Sequence, residues 1–421
     1  MSIVPKATRK LAIRLVIGLF SLAVIFAVYN WMRANRDLGD ISVAATADWL
    51  LALEHKEEGQ QAVIFKPDGS ILRSPGYADG KTDRDAVWRP DGAAVFMSSD
   101  RETEDFNVYR WNLQHNIIER RGMATRSQLG LNFGEPSLGA TNDSLLIVSG
   151  GFVLSMNPKE ATTRQVLPPV GREVVTTGGD EGAGGASQFD AYYKRLGSSF
   201  REAKWGKNKE WVYAVLRGDE GETLIAQSMT NGKPPAVLGM GERIEFDVNP
   251  KTGSVVYAIQ GFRVPVPENP SKEELAKIKE MMAITHRLAE VKPWETDPAE
   301  AFLPLAMSPT NNTCFAHPKV CPDGNSVLVS VGKYLGDGNQ QMEGLLSLPL
   351  ARNGIAAASA LVKGEVTDYS WNPTGKKFAF IRKSKSGVRT VFVLDKTGGE
   401  AKQISDGKTS YSRPLFSPQV P

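Results

Sequence analysis

One short turn phrase recurs along the 421 residues, and recurrence at near-regular spacing permits few folds. Trp88-Arg89-Pro90-Asp91-Gly92 precedes the apolar run Ala93–Met97. Val320-Cys321-Pro322-Asp323-Gly324 precedes Ser326–Val329, and Trp371-Asn372-Pro373-Thr374-Gly375 precedes Lys377–Ile381. Each reads as strand, tight turn, strand. Proline presets φ at the first turn position, Asp or Thr bonds back to the backbone, and glycine accepts positive φ. Trp88, Pro90, Asp91, Gly92, Pro322, Asp323, Gly324, Trp371, Pro373 and Gly375 are therefore assigned structural roles in the turns. The recurrence argues against reading Asp91 and Asp323 as catalytic acids.

A further copy sits at Pro250, degraded ones near Ala140 and Lys207, and a last one stops at Pro418. The index positions 90, 140, 207, 250, 322, 373 and 418 are 50, 67, 43, 72, 51 and 45 residues apart. Four intervals match a four-stranded propeller blade of about 40–50 residues. The two long ones require insertions, placed at about 171–198 and 263–285. The first holds the glycine-rich stretch Thr176–Gly185 and reads as a surface loop. The second begins Ser271-Lys272-Glu273-Glu274-Leu275, with Ser as N-cap and acids in the first turn, and predicts one inserted helix. It reads first as a packing helix and second as a docking element. The final copy supplies one strand, and Trp49–Leu53, Ala62–Phe65 and Ile71–Arg73 supply three more. The expected fold is all-β: a propeller of four-stranded blades over 48–421, closed by one blade built from both termini. Seven blades are expected, or six if the weak second or interrupted fourth unit is not a blade.

Residues 11–32 carry a separate signal. Leu11 to Tyr29 is 19 residues, apolar but for Arg14, Gly18 and Ser21, and just long enough to span a bilayer. Lys6, Arg9, Lys10 and Arg14 gather at its N-terminal end, which predicts a short cytoplasmic tail (1–10), an anchor (11–32), a linker (33–47) and an extracytoplasmic ring. A cleaved signal peptide is the competing reading. The small residues Val43-Ala44-Ala45 lie far beyond the apolar core for efficient cleavage, which favours an anchor. The net charge of +3 falls to about −1 without those four basic residues, so composition gives no sign of nucleic-acid binding.

Cys314 and Cys321 are the only cysteines. In an oxidising compartment they are candidates for a disulfide closing an eight-residue loop, with two free thiols as the alternative. His55, His115, His286 and His317 stand at no metal-ligand spacing. The sequence shows no Gly-x-Ser-x-Gly elbow and no phosphate-binding loop. No catalytic residue, metal or cofactor is therefore assigned. A site assembled in a central channel from distant residues would leave no linear motif.

The run Trp88–Gly92, then Val95–Arg101, then Asp105-Phe106-Asn107-Val108-Tyr109 resembles the repeat of TolB-like (WD40-like) β-propellers. The resemblance is strong here and over 366–406, fair at 318–332 and poor at 131–167. It implies an extracytoplasmic propeller that binds a protein or peptide with a face or its central opening. The N-terminal α/β domain of TolB has no counterpart between the anchor and Trp49. The resulting expectation is a membrane-tethered, non-catalytic binding scaffold. The alternative is a propeller hydrolase or lyase acting on carbohydrate or peptide in the channel.

Overall fold

The computed structural model describes residues 48–122, 128–133, 144–157, 162–170, 189–264, 270–282, 285–308, 313–336 and 339–418. The expected anchor at 11–32, with its tail and linker, lies outside them, as do the glycine-rich stretch and the turn near Ala140. Among the described residues no helix is long and apolar enough to cross a membrane.

Seven four-stranded antiparallel sheets make up a seven-bladed propeller. Blade 1 runs Asp83–Trp88, Ala94–Ser99, Asn107–Asn112, Ile117–Arg120. Blades 2 to 6 follow in sequence, their first strands being Gln128–Phe133, Ser199–Trp205, Arg243–Val248, Thr313–Val320 and Val366–Trp371. Blade 7 joins Tyr411–Phe416 to Leu50–His55, Gln60–Phe65 and Ile71–Arg73. One C-terminal and three N-terminal strands therefore close the ring. The closure pairs Leu50 with Phe416 and Glu54 with Tyr411 across the termini.

Alternation along each strand explains the packing between blades. Val95, Met97, Tyr109 and Trp111 of blade 1 pack with Leu51, Leu53, Ala62 and Ile64 of blade 7. Ala94, Phe96 and Val108 point the other way, against Leu145, Ile147 and Met156 of blade 2. A sheet buried on both faces reads as a continuous apolar run, as Ala93–Met97 does.

Each recurring turn links a blade's first strand to its second. The Gly92 amide bonds Arg89 O at 2.8 Å, Gly324 bonds Cys321 O at 2.8 Å, and Gly375 bonds Asn372 O at 2.9 Å. Pro90, Pro322 and Pro373 therefore stand at the second turn position, where their fixed φ belongs. Asp91 accepts from the Ala93 amide and Asp323 from the Asn325 amide, while Thr374 accepts from Asn372. Gly375 has φ +66°, and a Cβ there would meet Cys321 Sγ at 2.7 Å. The tryptophans join blades. The Trp88 indole donates to Leu415 O of blade 7, and Trp371 donates to Lys319 O of blade 5, both at 2.9 Å.

The two cysteines do not form the expected disulfide; both are free and buried. The segment between them is the first strand of blade 5, not a loop. An extended strand separates residues seven apart by roughly 20 Å, and a disulfide needs Cα atoms about 4–7 Å apart. Cys314 packs with Ala316 and Met342, whereas Cys321 joins the core between blades 5 and 6.

Candidate functional site

A meander fixes two faces. Links from first to second and from third to fourth strand lie at one end of every blade, here called the turn face. Links from second to third strand, and from each blade to the next, lie at the other end, the insertion face. Both insertions open on that second face.

The first insertion ends in helix α1 (Asp190–Leu196), which leads into blade 3. Tyr193 is buried there against Phe200, and its hydroxyl donates to Gln227 at 2.9 Å. The second insertion, between Gln260 and His286 of blade 4, carries helix α2 (Lys272–Met282). Ser271 caps it reciprocally: Ser271 Oγ accepts from the Glu274 amide at 3.1 Å, and Glu274 Oε2 accepts from the Ser271 amide at 2.7 Å. Ile278 is its buried anchor, while Leu275 and Met281 are exposed. Beside it, blade 5 extends a hairpin of two 11-residue strands with Leu335, 65% exposed, near the tip. The hairpin meets the two blade 4 strands that flank the insertion, through the His286–Tyr334 ring contact (centroids 4.8 Å) and the Gln260–Gln340 hydrogen bond. Phe152 projects from the same face in blade 2.

The second candidate is the ring of innermost strands. Five residues before the turn index, six blades place Asp85, Glu202, Glu245, His317, Asp368 and Arg413. Bulges interrupt the pairing at or beside most of these positions, and Asp85, His317 and Arg413 take positive φ. The side chains link neighbouring blades. Arg413 pairs with Asp85, and its amide bonds Asp368 at 3.4 Å. Glu245 accepts from the His317 amide at 2.6 Å and lies 3.2 Å from His317 Nδ1, while Arg243 holds its other oxygen at 2.7 Å. Nearer the turn face, Asp247 accepts from the Val320 amide at 2.9 Å and from Lys204 at 3.0 Å, and Lys204 also reaches Glu202 at 3.3 Å.

The titration directions describe fixed charges. Burial alone would raise the Glu245 carboxyl, but His317 and Arg243 outweigh it and hold the group below its ordinary value. Asp247 is likewise lowered, as Lys204 and Lys319 overcome burial. Lys204 is raised, because Asp247 and Glu202 overcome the opposite effect of burial. All three move away from neutrality, which suits structural ion pairs and opposes a role as a general acid or base near pH 7. Cys314 offers no nucleophile, since burial pushes its thiol up to about 11. Among the described residues no three His, Cys, Asp or Glu side chains are grouped to hold a metal.

The charged ring was missed by motif search because it has a single member in each of the six blades that carry it. Aligning the seven turn phrases and looking five residues upstream would have found it.

No protein-family model matches the chain, and no curated protein matches it by sequence. Similar solved structures are propeller proteins. The tricorn protease superposes with a TM-score of 0.52 at 10% identity, over 90% of this chain and 36% of that one. A prolyl endopeptidase gives 0.51 at 8%, over 89% of this chain and 50% of that one. TolB from Acinetobacter baumannii gives 0.47 at 9%, over 88% and 67%. The chain thus spans about a third to two thirds of these proteins. At such identity the likeness is one of fold alone.

Proposed function

We propose that the chain is a membrane-tethered, extracytoplasmic propeller that binds a protein or peptide partner on its insertion face and catalyses no reaction. One observation carries this reading: the repeat is interrupted on a single face, and that face gathers exposed apolar side chains. Phe152, Leu275, Met281 and Leu335 are four of the six exposed large hydrophobics among the described residues. Exposed apolar groups clustered on a rigid scaffold are characteristic of a contact surface.

The ring of ionisable residues favours a second reading, an enzyme acting on carbohydrate or peptide in the channel. The pairing of those residues, and the displacement of Glu245, Asp247 and Lys204 away from neutrality, support the binding reading over it.

The test is photo-cross-linking in the native envelope, from a light-activated residue placed in the full chain at Leu335, Met281 or, as control, Lys251 on the turn face. A discrete adduct from the first two sites and none from Lys251 is the expected result. Cleavage of a carbohydrate or peptide by the purified chain, abolished by Glu245→Gln, would overturn the reading, as would adducts that ignore the face.

A further inference from the structure

We infer that the turn face is a membrane-contact surface: the ring rests this face on the bilayer that holds its own anchor, with half-buried tryptophans at the lipid headgroups. The inference rests on the tethered reading proposed above and adds which surface the membrane takes.

The first observation is where the chain enters the ring. Asp48 and Trp49 lead into the second strand of blade 7 at its turn-face end. They are fastened there: Ser417 N donates to Trp49 O at 2.8 Å, and Lys377 pairs with Asp48 at 2.8 Å. The expected linker, 33–47, is 15 residues long. A coil of that length has a root-mean-square span of about 20 Å. A six-residue strand is itself about 20 Å long. For the insertion face to reach the same bilayer, the linker would have to pass two further strands, about 10 Å, and climb the full blade, about 20 Å, a path longer than its root-mean-square span although within its extended limit of about 50 Å.

The second observation is independent of the linker. Seven of the eight tryptophans fall among the described residues, and they divide cleanly. Trp88, Trp111, Trp205 and Trp371 are buried. The three that keep partial exposure, Trp49, Trp211 and Trp294, all lie at turn-face ends: before the second strand of blade 7, at the start of the second strand of blade 3, and in the third-to-fourth link of blade 4. Trp211 and Trp294 stand together, ring centroids 6.2 Å apart. Lys66 lies over the Trp49 ring at 4.9 Å, and Lys251 and Lys376 are exposed on the same face. Indole has an apolar body and a polar N–H, and it concentrates at the water–lipid boundary with lysine amines beside it. The exposed aliphatic groups of the insertion face have no such polar handle and suit a protein partner instead.

The experiment uses the full chain reconstituted in nanodiscs of phosphatidylcholine and phosphatidylglycerol carrying a paramagnetic headgroup lipid. A nitroxide is placed by Lys251→Cys on the turn face or by Leu335→Cys on the insertion face; both native thiols are buried. Relaxation by the headgroup lipid is expected to be several-fold stronger at 251 than at 335, and Trp294→Ser, in the third-to-fourth link of blade 4, is expected to reduce that contrast. Equal relaxation, stronger relaxation at 335, or a contrast indifferent to Trp294→Ser in a chain that stays with the lipid would overturn the inference while leaving the tether intact. A chain that does not co-purify with the nanodisc defeats the tether, and the inference with it.

Discussion

At the residue scale, the innermost strands carry charged side chains placed to staple one blade to the next. Asp247 is the clearest, since it takes the Val320 amide of blade 5 and the Lys204 amine of blade 3 at once. Its folded pKa lies below the ordinary value of 3.8, so its contribution is fully present above that value and is lost as pH falls through the folded pKa. Asp247→Asn is expected to cost about 1.5–3 kcal/mol at pH 7, the range for hydrogen bonds to charged groups. The deficit relative to the native protein should shrink as pH falls below 3.8, where the carboxylate of the unfolded chain takes up a proton before the folded one does. Denaturant unfolding at pH 7 and pH 3 measures both, and a deficit unchanged between them would contradict the assignment. The cysteines teach a different lesson at this scale. A spacing of seven suits a disulfide only if the intervening chain turns back, and whether it does so was settled by the neighbouring strand Ser326–Gly336, which holds it extended.

At the scale of elements, the two insertions behave differently. Helix α2 announced itself, because a capping box is local and legible: Ser271 and Glu274 satisfy each other's amides without help from the rest of the fold. Helix α1 did not, because seven residues carry too little periodicity to be distinguished from loop. Its reason for forming is tertiary, namely the socket for Tyr193 beside Phe200 and Gln227. The insertion is therefore not uniform. Deleting 171–188 is expected to leave the thermal midpoint within a few degrees of the native value. Extending the deletion through 198 should remove the Tyr193 contacts and cost about 3–5 kcal/mol, the range for truncating a buried large side chain. Differential scanning calorimetry of the two deletions distinguishes them; equal midpoints would mean that α1 is not part of the blade 3 core.

At the scale of the molecule, closure governs stability. Tyr411–Phe416 is the innermost strand of blade 7, and Tyr411 is buried edge-on against Phe65. Without it, Leu50–His55 becomes an unpaired inner edge facing the channel. A chain ending at residue 410 is expected to lose cooperative unfolding and aggregate, whereas one ending at 418 should match the full chain. Size-exclusion chromatography with denaturant titration tests this. A monomeric, cooperative 1–410 chain would show that the ring does not depend on its latch.

The sequence by itself determined the blade: its turn chemistry, its period, the places where the period is broken, and the split of the last blade between the termini. These are local or counting properties, written in Pro-Asp-Gly and Pro-Thr-Gly turns and in alternating apolar runs. Tertiary structure alone decided which residues from different blades meet. Glu245 and His317 are 72 residues apart, and Asp85 and Arg413 lie at opposite ends of the chain, yet each pair closes across one step of the ring. It also decided that both insertions share one face and the half-exposed tryptophans the other. The cross-blade pairs follow from ring closure and the two faces from the meander of each blade, both of which arrange strands through space in a way that no window along the chain contains.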